Sequence, residues 1–182
     1  MPSLPISNIF ITLTVVSVIF VSNVADDVPK IPYELVNNVC KKQWNEQFCL
    51  EVLKSDTRSE FAKDMTTLTA IALNVATKRV TATRDCFLEV KIGSPAVLKS
   101  LNDCIDPYNF VITSFQTCLK EDDCSLIGYD IYIAGDEVRR CQKFADSNGA
   151  HDSFITTSNN VTQDYCWLGE SLANLMCNEI RS

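Results

Sequence analysis

The residues that could carry out a reaction are few, and their spacing argues against one. His151 is the single histidine and follows Asn148-Gly149 in a loop pattern, so no histidine-rich metal site can be assembled from this chain. Ser, Asp and His occur in no elbow or triad-like setting, and Gly93, Gly128, Gly135, Gly149 and Gly169 form no phosphate-cradling cluster. The acidic pairs Asp122-Asp123 and Asp136-Glu137 are each adjacent in sequence. They fall where a solvated face or a helix N-terminus favours acid, which accounts for them without general acid and base roles. Neither catalysis nor a cofactor is expected.

Nine cysteines form the other reactive set. Zinc would need Cys-x2-Cys-like spacing in a reducing compartment, and the chain offers neither. Ile9 to Val21 is almost wholly apolar and is followed by Ser22-Asn23-Val24-Ala25, the form of a secretory signal over residues 1–25, although Met1 to Asn8 carries no Lys or Arg. An uncleaved anchor is the competing reading, and the run falls below the roughly 17 residues that a spanning helix needs. No other stretch is long and apolar enough to span a bilayer, so no membrane partner is expected once the signal is cut. All nine cysteines follow Ala25 and are expected to oxidise outside the cell, and their odd number leaves at least one thiol unpaired or paired between chains. Asn160-Val161-Thr162 is a glycosylation sequon, with Asn160 as acceptor.

The elements that position the cysteines are helices. Val97, Leu101, Cys104, Tyr108, Val111 and Phe115 keep one helical face apolar, and after the acidic break Lys120 to Asp123 the stepping resumes at Ile127, Ile131, Ala134, Val138, Cys141 and Ala145. Cys104 and Cys141 thus lie on stripes that two antiparallel helices would turn toward each other, where a disulfide would staple the pair. Upstream, Asp26 to Pro32 reads as an extended leader. Cys40 and Cys49 would stand about 13 Å apart on an unbroken helix, too far for a disulfide, so their pairing requires a turn near Trp44-Asn45-Glu46. Thr57 and Glu60 have the form of a capping box, and Ser94-Pro95 reads as N-cap and first turn. Gly128 to Ile133 is the best strand candidate and is better explained as helix.

Helices are expected over 62–90, 95–119, 126–145 and 160–179. Short connections between such stripes imply an all-α, antiparallel up-down four-helix bundle over 61–180, preceded by a helical hairpin over 33–60, in one domain spanning 26–182. One domain also suits a length of 182 residues. This order places Cys86 and Cys166 near one end of the bundle and Cys118, Cys124 and Cys177 at the other. The favoured pairings are Cys118 with Cys124 or Cys177, and Cys86 with Cys166; Cys86 and Cys177 also suit buried thiols. A net charge of -7 repels phosphate backbones, so no nucleic-acid partner is expected, and it favours a basic one. Trp44, Phe87 and Trp167 read as core, or as walls of a pocket in a small-molecule carrier.

These residues resemble the plant inhibitors of invertase and pectin methylesterase, a family that includes inhibitor-like pollen allergens. The resemblance runs from Leu35 to Ile180. It is carried by Cys40-x8-Cys49, by Leu53-Lys54-Ser55-Asp56-Thr57-Arg58-Ser59, and by Asp64-Met65-Thr66-Thr67-Leu68-Thr69-Ala70-Ile71-Ala72. Leu101-Asn102-Asp103-Cys104 with Tyr108, and Cys141-Gln142-Lys143-Phe144, complete it. The resemblance implies disulfides Cys40–Cys49 and Cys104–Cys141, a secreted, apoplastic or vacuolar protein, and a 1:1 complex with an invertase or a pectin methylesterase whose cleft it occludes. The segments Leu53 to Ser59 and Asp64 to Ala72 are more similar to the invertase-inhibitor and allergen branch, which favours invertase. A Pro-Lys-Phe element of some invertase inhibitors is replaced by Cys124-Ser125-Leu126, and Gln43-Trp44 stands where threonine and proline are frequent. A member that keeps the fold without inhibiting is the alternative these departures suggest. The family's contacts lie on the middle hairpin of the bundle, which points to Glu121, Asp122, Asp123, Ser125 and Asp130 as the partner-binding residues.

Overall fold

The computed structural model describes residues 33–181. The signal segment 1–25, with its cleavage after Ala25, and the leader Asp26 to Pro32 lie outside the described residues. Among the described residues there are seven α-helices and one 3-10 turn, with no strand: α1 (Glu34–Cys40), α2 (Glu46–Lys54), the 3-10 turn Thr57–Phe61, α3 (Met65–Glu89), α4 (Pro95–Asp103), α5 (Ile105–Cys118), α6 (Cys124–Ser147) and α7 (Ser153–Ile180).

Short polar residues start most of these helices. Asn45, Asp64, Ser94, Asp123 and Asp152 each accept a hydrogen bond from a backbone N–H in the first turn of α2, α3, α4, α6 and α7, satisfying donors that a helix N-terminus leaves free. The segment from Thr57 to Glu60 is a 3-10 turn capped by Asp56, not the capping box expected there. α3 begins instead at Asp64, whose carboxylate accepts from the Thr67 amide at 2.7 Å.

The helix expected over 95–119 is divided at Cys104 into α4 and α5. Pro107 is the cause, because its ring would collide with the carbonyl of Asp103, four residues back, and it has no N–H to donate there. α7 starts seven residues before the expected position 160. Its opening turns are rich in Ser, Thr and Asn, and two of the residues it buries, Asn159 and Thr162, are polar, so no apolar stripe marks them.

Contacts between helix ends establish the antiparallel order. Arg84 near the end of α3 donates to Asn109 near the start of α5. Cys104 and Cys141 join the start of α5 to the last part of α6, and the Met65 amide at the start of α3 donates to Glu179 at the end of α7. α3, α5, α6 and α7 form a ring in which each packs on two neighbours, with α6 and α7 the most extensively packed pair. Gly169 lets α7 approach closely, since a Cβ there would meet Ile131 Cδ1 at 3.2 Å and Leu73 Cδ2 at 3.3 Å. Leu68, Tyr108, Val111, Phe115, Ile131, Ala134, Ile155 and Leu172 fill the centre. The α1–α2 hairpin, closed by Cys40–Cys49 with Cα atoms 5.4 Å apart, buries Val36, Val39, Val52 and Leu53 and leans on α3 through α2.

The remaining cysteines depart from expectation. Cys124 pairs with Cys177, Cα to Cα 5.4 Å, and Cys118 is a buried free thiol. Cys118 points inward, its sulfur 3.8 Å from the Ile127 carbonyl oxygen, whereas Cys124 and Cys177 stand at adjoining ends of the two best-packed helices. Cys86 and Cys166 are not bridged. Cys86 is on the exposed side of α3, while Cys166 is buried on the side of α7 facing Gly135 of α6, and a disulfide requires Cα atoms within about 7 Å and converging Cβ vectors.

Candidate functional site

The acidic turn between α5 and α6 is built from its backbone outward. α5 ends at Cys118 and α6 begins at Cys124, leaving amides that need acceptors. Glu121 Oε1 accepts from the amides of Asp122 at 3.0 Å and Asp123 at 2.9 Å. Asp123 Oδ1 then accepts from the amides of Ser125 at 2.8 Å and Leu126 at 3.4 Å, placing its charge at the positive end of α6. Two of the three acids are thus committed to the turn itself. Asp122 is exposed.

The five residues singled out from sequence do not converge on one face. Glu121 and Asp122 border a recess of about 290 Å³ with Thr66, Thr69, Cys118 and Met176, between the turn and the helices α3 and α7. Ser125 lies on the opposite flank, in a groove of about 490 Å³ along the α6–α7 seam with Tyr129, Tyr132, Asn174 and Arg181. Asp130 is half-buried, and its negative charge is felt by the Cys118 thiol. That thiol is pushed up to about 11, first by burial and then by Asp130.

Asn160 is exposed on α7. Thr162 of the same sequon is buried and donates to the Ser158 carbonyl at 2.8 Å. His151 is exposed. Phe87 belongs to the core, edge-on to Tyr108 and Phe154. Trp44 and Trp167 instead meet at the surface, a juxtaposition that spacing could not reveal because 123 positions of sequence separate them. Among the described residues no cluster of three His, Cys, Asp or Glu is arranged to hold a metal, and no helix is long and apolar enough to cross a membrane.

A bundle bridged twice, with a third disulfide in its hairpin, presenting an ordered acidic turn and surface aromatics, has the make-up of a protein-binding module. Residues 34–161 match the plant invertase/pectin methylesterase inhibitor family, and the chain belongs to that family. Solved structures that share its fold include two inhibitors. One is a pectin methylesterase inhibitor from Arabidopsis thaliana, 17% identical with a TM-score of 0.57, the match covering 78% of this chain and 95% of that one. The other is mutant form A of a pectin methylesterase inhibitor from Arabidopsis, 19% identical with a TM-score of 0.63, covering 77% and 95%. At these identities the likeness is one of fold. No curated protein matches the chain significantly.

Proposed function

We propose that this chain is a secreted inhibitor that forms a 1:1 complex with a pectin methylesterase in the plant cell wall, covering the enzyme's cleft with a stapled bundle. The observation carrying this reading is the acidic α5–α6 turn, in which Asp122 is exposed beside the helix-capping Asp123. A pectin methylesterase releases a polyuronate, so its cleft must tolerate a row of carboxylates, and an acidic turn presents similar charge. An invertase cleaves a neutral sugar with a pair of active-site carboxylates, which such a turn would repel. A net charge of -7 further favours encounter with a basic enzyme. Rigidity limits the ordering cost of binding.

Invertase is the second reading, favoured by the sequence segments Leu53 to Ser59 and Asp64 to Ala72. Secretion to the apoplast rests on the segment 1–25, with the vacuole as the alternative destination. Side-by-side titration of purified pectin methylesterase and invertase at apoplastic acidity decides between them. Loss of esterase activity at micromolar protein, weakened by salt and by Asp122→Asn, is the expected result. Selective loss of invertase activity would reverse the target, and loss of neither would leave a non-inhibitory member of the family.

A further inference from the structure

Trp44 and Trp167 are the two tryptophans of the chain, and both stand at its surface, 72% and 42% exposed. Their ring centroids are 5.4 Å apart and their planes are 88° from parallel, so the indoles form a right-angled corner. Trp44 is carried by the turn that Cys40–Cys49 closes, and Trp167 by α7. Glu170, Ser171 and Asn174, three, four and seven residues beyond Trp167, share its helical face. With the two indoles they line a recess of about 430 Å³, and no lysine or arginine lines it.

We propose that this corner is a binding site for a cationic side chain, arginine or lysine, presented by a protein partner. An indole face is the best aromatic surface for a cation, and two perpendicular indoles can flank one from two sides, as in aromatic cages. Glu170 supplies the countercharge on the same wall, and the Asn174 amide oxygen and the Ser171 hydroxyl can accept from guanidinium or ammonium N–H groups. The flat guanidinium stacks on indole as well as pairing with carboxylate, which makes arginine the better occupant. Charge complementarity selects against anions, since Glu170 and the net charge of -7 both repel them. Two exposed indoles are otherwise an unexplained solubility cost, because neither ring is needed to fill the bundle's centre.

The site stands independently of which enzyme the protein inhibits, and its test uses no enzyme. Because both tryptophans lie in the corner, the intrinsic indole fluorescence and the two indole N–H resonances of the full chain report on it alone. Titration with arginine amide is compared with citrulline amide, its neutral isostere, and with glucose. A saturable shift of both indole resonances by arginine amide, at least about threefold tighter than by citrulline amide, is expected. Glu170→Gln should remove that preference, with an unchanged melting temperature. Trp44→Ala should abolish the response of the remaining indole. Equal binding of citrulline amide, preferential binding of glucose, or no saturable shift up to the solubility of arginine amide would each overturn the assignment. A Trp44→Ala variant that loses stability while retaining the arginine response would show the pair to be packing alone.

Discussion

The phenol of Tyr108 on α5 donates a 3.1 Å hydrogen bond to the side-chain oxygen of Asn159 on α7, linking diagonal helices across the bundle. Tyr108 is fully buried and Asn159 nearly so. Asn159 Nδ2 in turn donates to Gln142 Oε1 on α6 at 2.9 Å, and the Phe87 ring of α3 lies edge-on at 4.8 Å from the Tyr108 centroid. All four bundle helices therefore meet in one partly polar layer, whose geometry specifies their relative heights more narrowly than apolar contact would.

Tyr108→Phe leaves the Asn159 oxygen buried without its phenol donor, so the expected loss is about 1–3 kcal/mol of stability. Urea unfolding measures it. Changing both partners, Tyr108→Phe with Asn159→Leu, should cost less than the sum of the single changes, because the orphaned oxygen is gone. Simple additivity would mean that the two side chains are not energetically coupled.

The Cys124–Cys177 bridge closes a sequence separation of 53. Chain-entropy reasoning gives about 4 kcal/mol for a loop of that size, a large share of the total stability of a small domain. Replacing both cysteines by serine should therefore lower the melting temperature strongly while leaving the helical circular dichroism intact at low temperature. An unchanged transition in matched buffer would show the bridge to be absent or without energetic effect.

Three thiols remain, Cys86 exposed and Cys118 and Cys166 buried. A thiol reagent should modify one cysteine per native chain and three after denaturation without reductant. Burial raises the Cys118 thiol to about 11 from its ordinary value near 9 and moves Cys166 in the same direction. A raised folded-state pKa stabilises fully below the unfolded value and loses that contribution as pH rises through the folded one. Melting temperature should accordingly fall between about pH 9 and 11, and Cys118→Ala should flatten part of that decline.

The bundle was legible from sequence because its buried positions are mostly apolar and recur at helical spacing, as in Ile127, Ile131, Ala134 and Val138. Legibility ended where burial was polar. Asn159 and Thr162 hid the opening of α7 because their place in the interior depends on Tyr108, a residue of another helix. Pro107 did carry the signal for the break at Cys104, yet the stripe from Val97 to Phe115 continues across it. Cys177 could not be assigned from sequence because several cysteines share that end of the bundle, and side-chain direction decides among them. The Trp44–Trp167 corner brings the hairpin against α7, a tertiary relation with no periodic trace.

Asp122 and Asp123 are neighbours with different duties, and this separates stability from recognition at the proposed interface. Asp123 accepts from the Ser125 and Leu126 amides, so Asp123→Ala should cost about 1 kcal/mol through loss of the α6 N-cap. Asp123→Asn should cost little, since asparagine caps about as well and gives up only the interaction of charge with the helix end. The exposed Asp122 carboxylate lies outside that cap, and its own amide is satisfied by Glu121. Asp122→Asn should therefore leave the melting temperature within about 0.5 kcal/mol equivalent of the parent. Any change in inhibition that it produces then reports contact with the enzyme, not unfolding of the turn. Thermal melts of the three variants beside their inhibition constants make the distinction. A destabilised Asp122→Asn variant, or an Asp123→Ala variant as stable as the parent, would show that the duties of the two acids are not divided in this way.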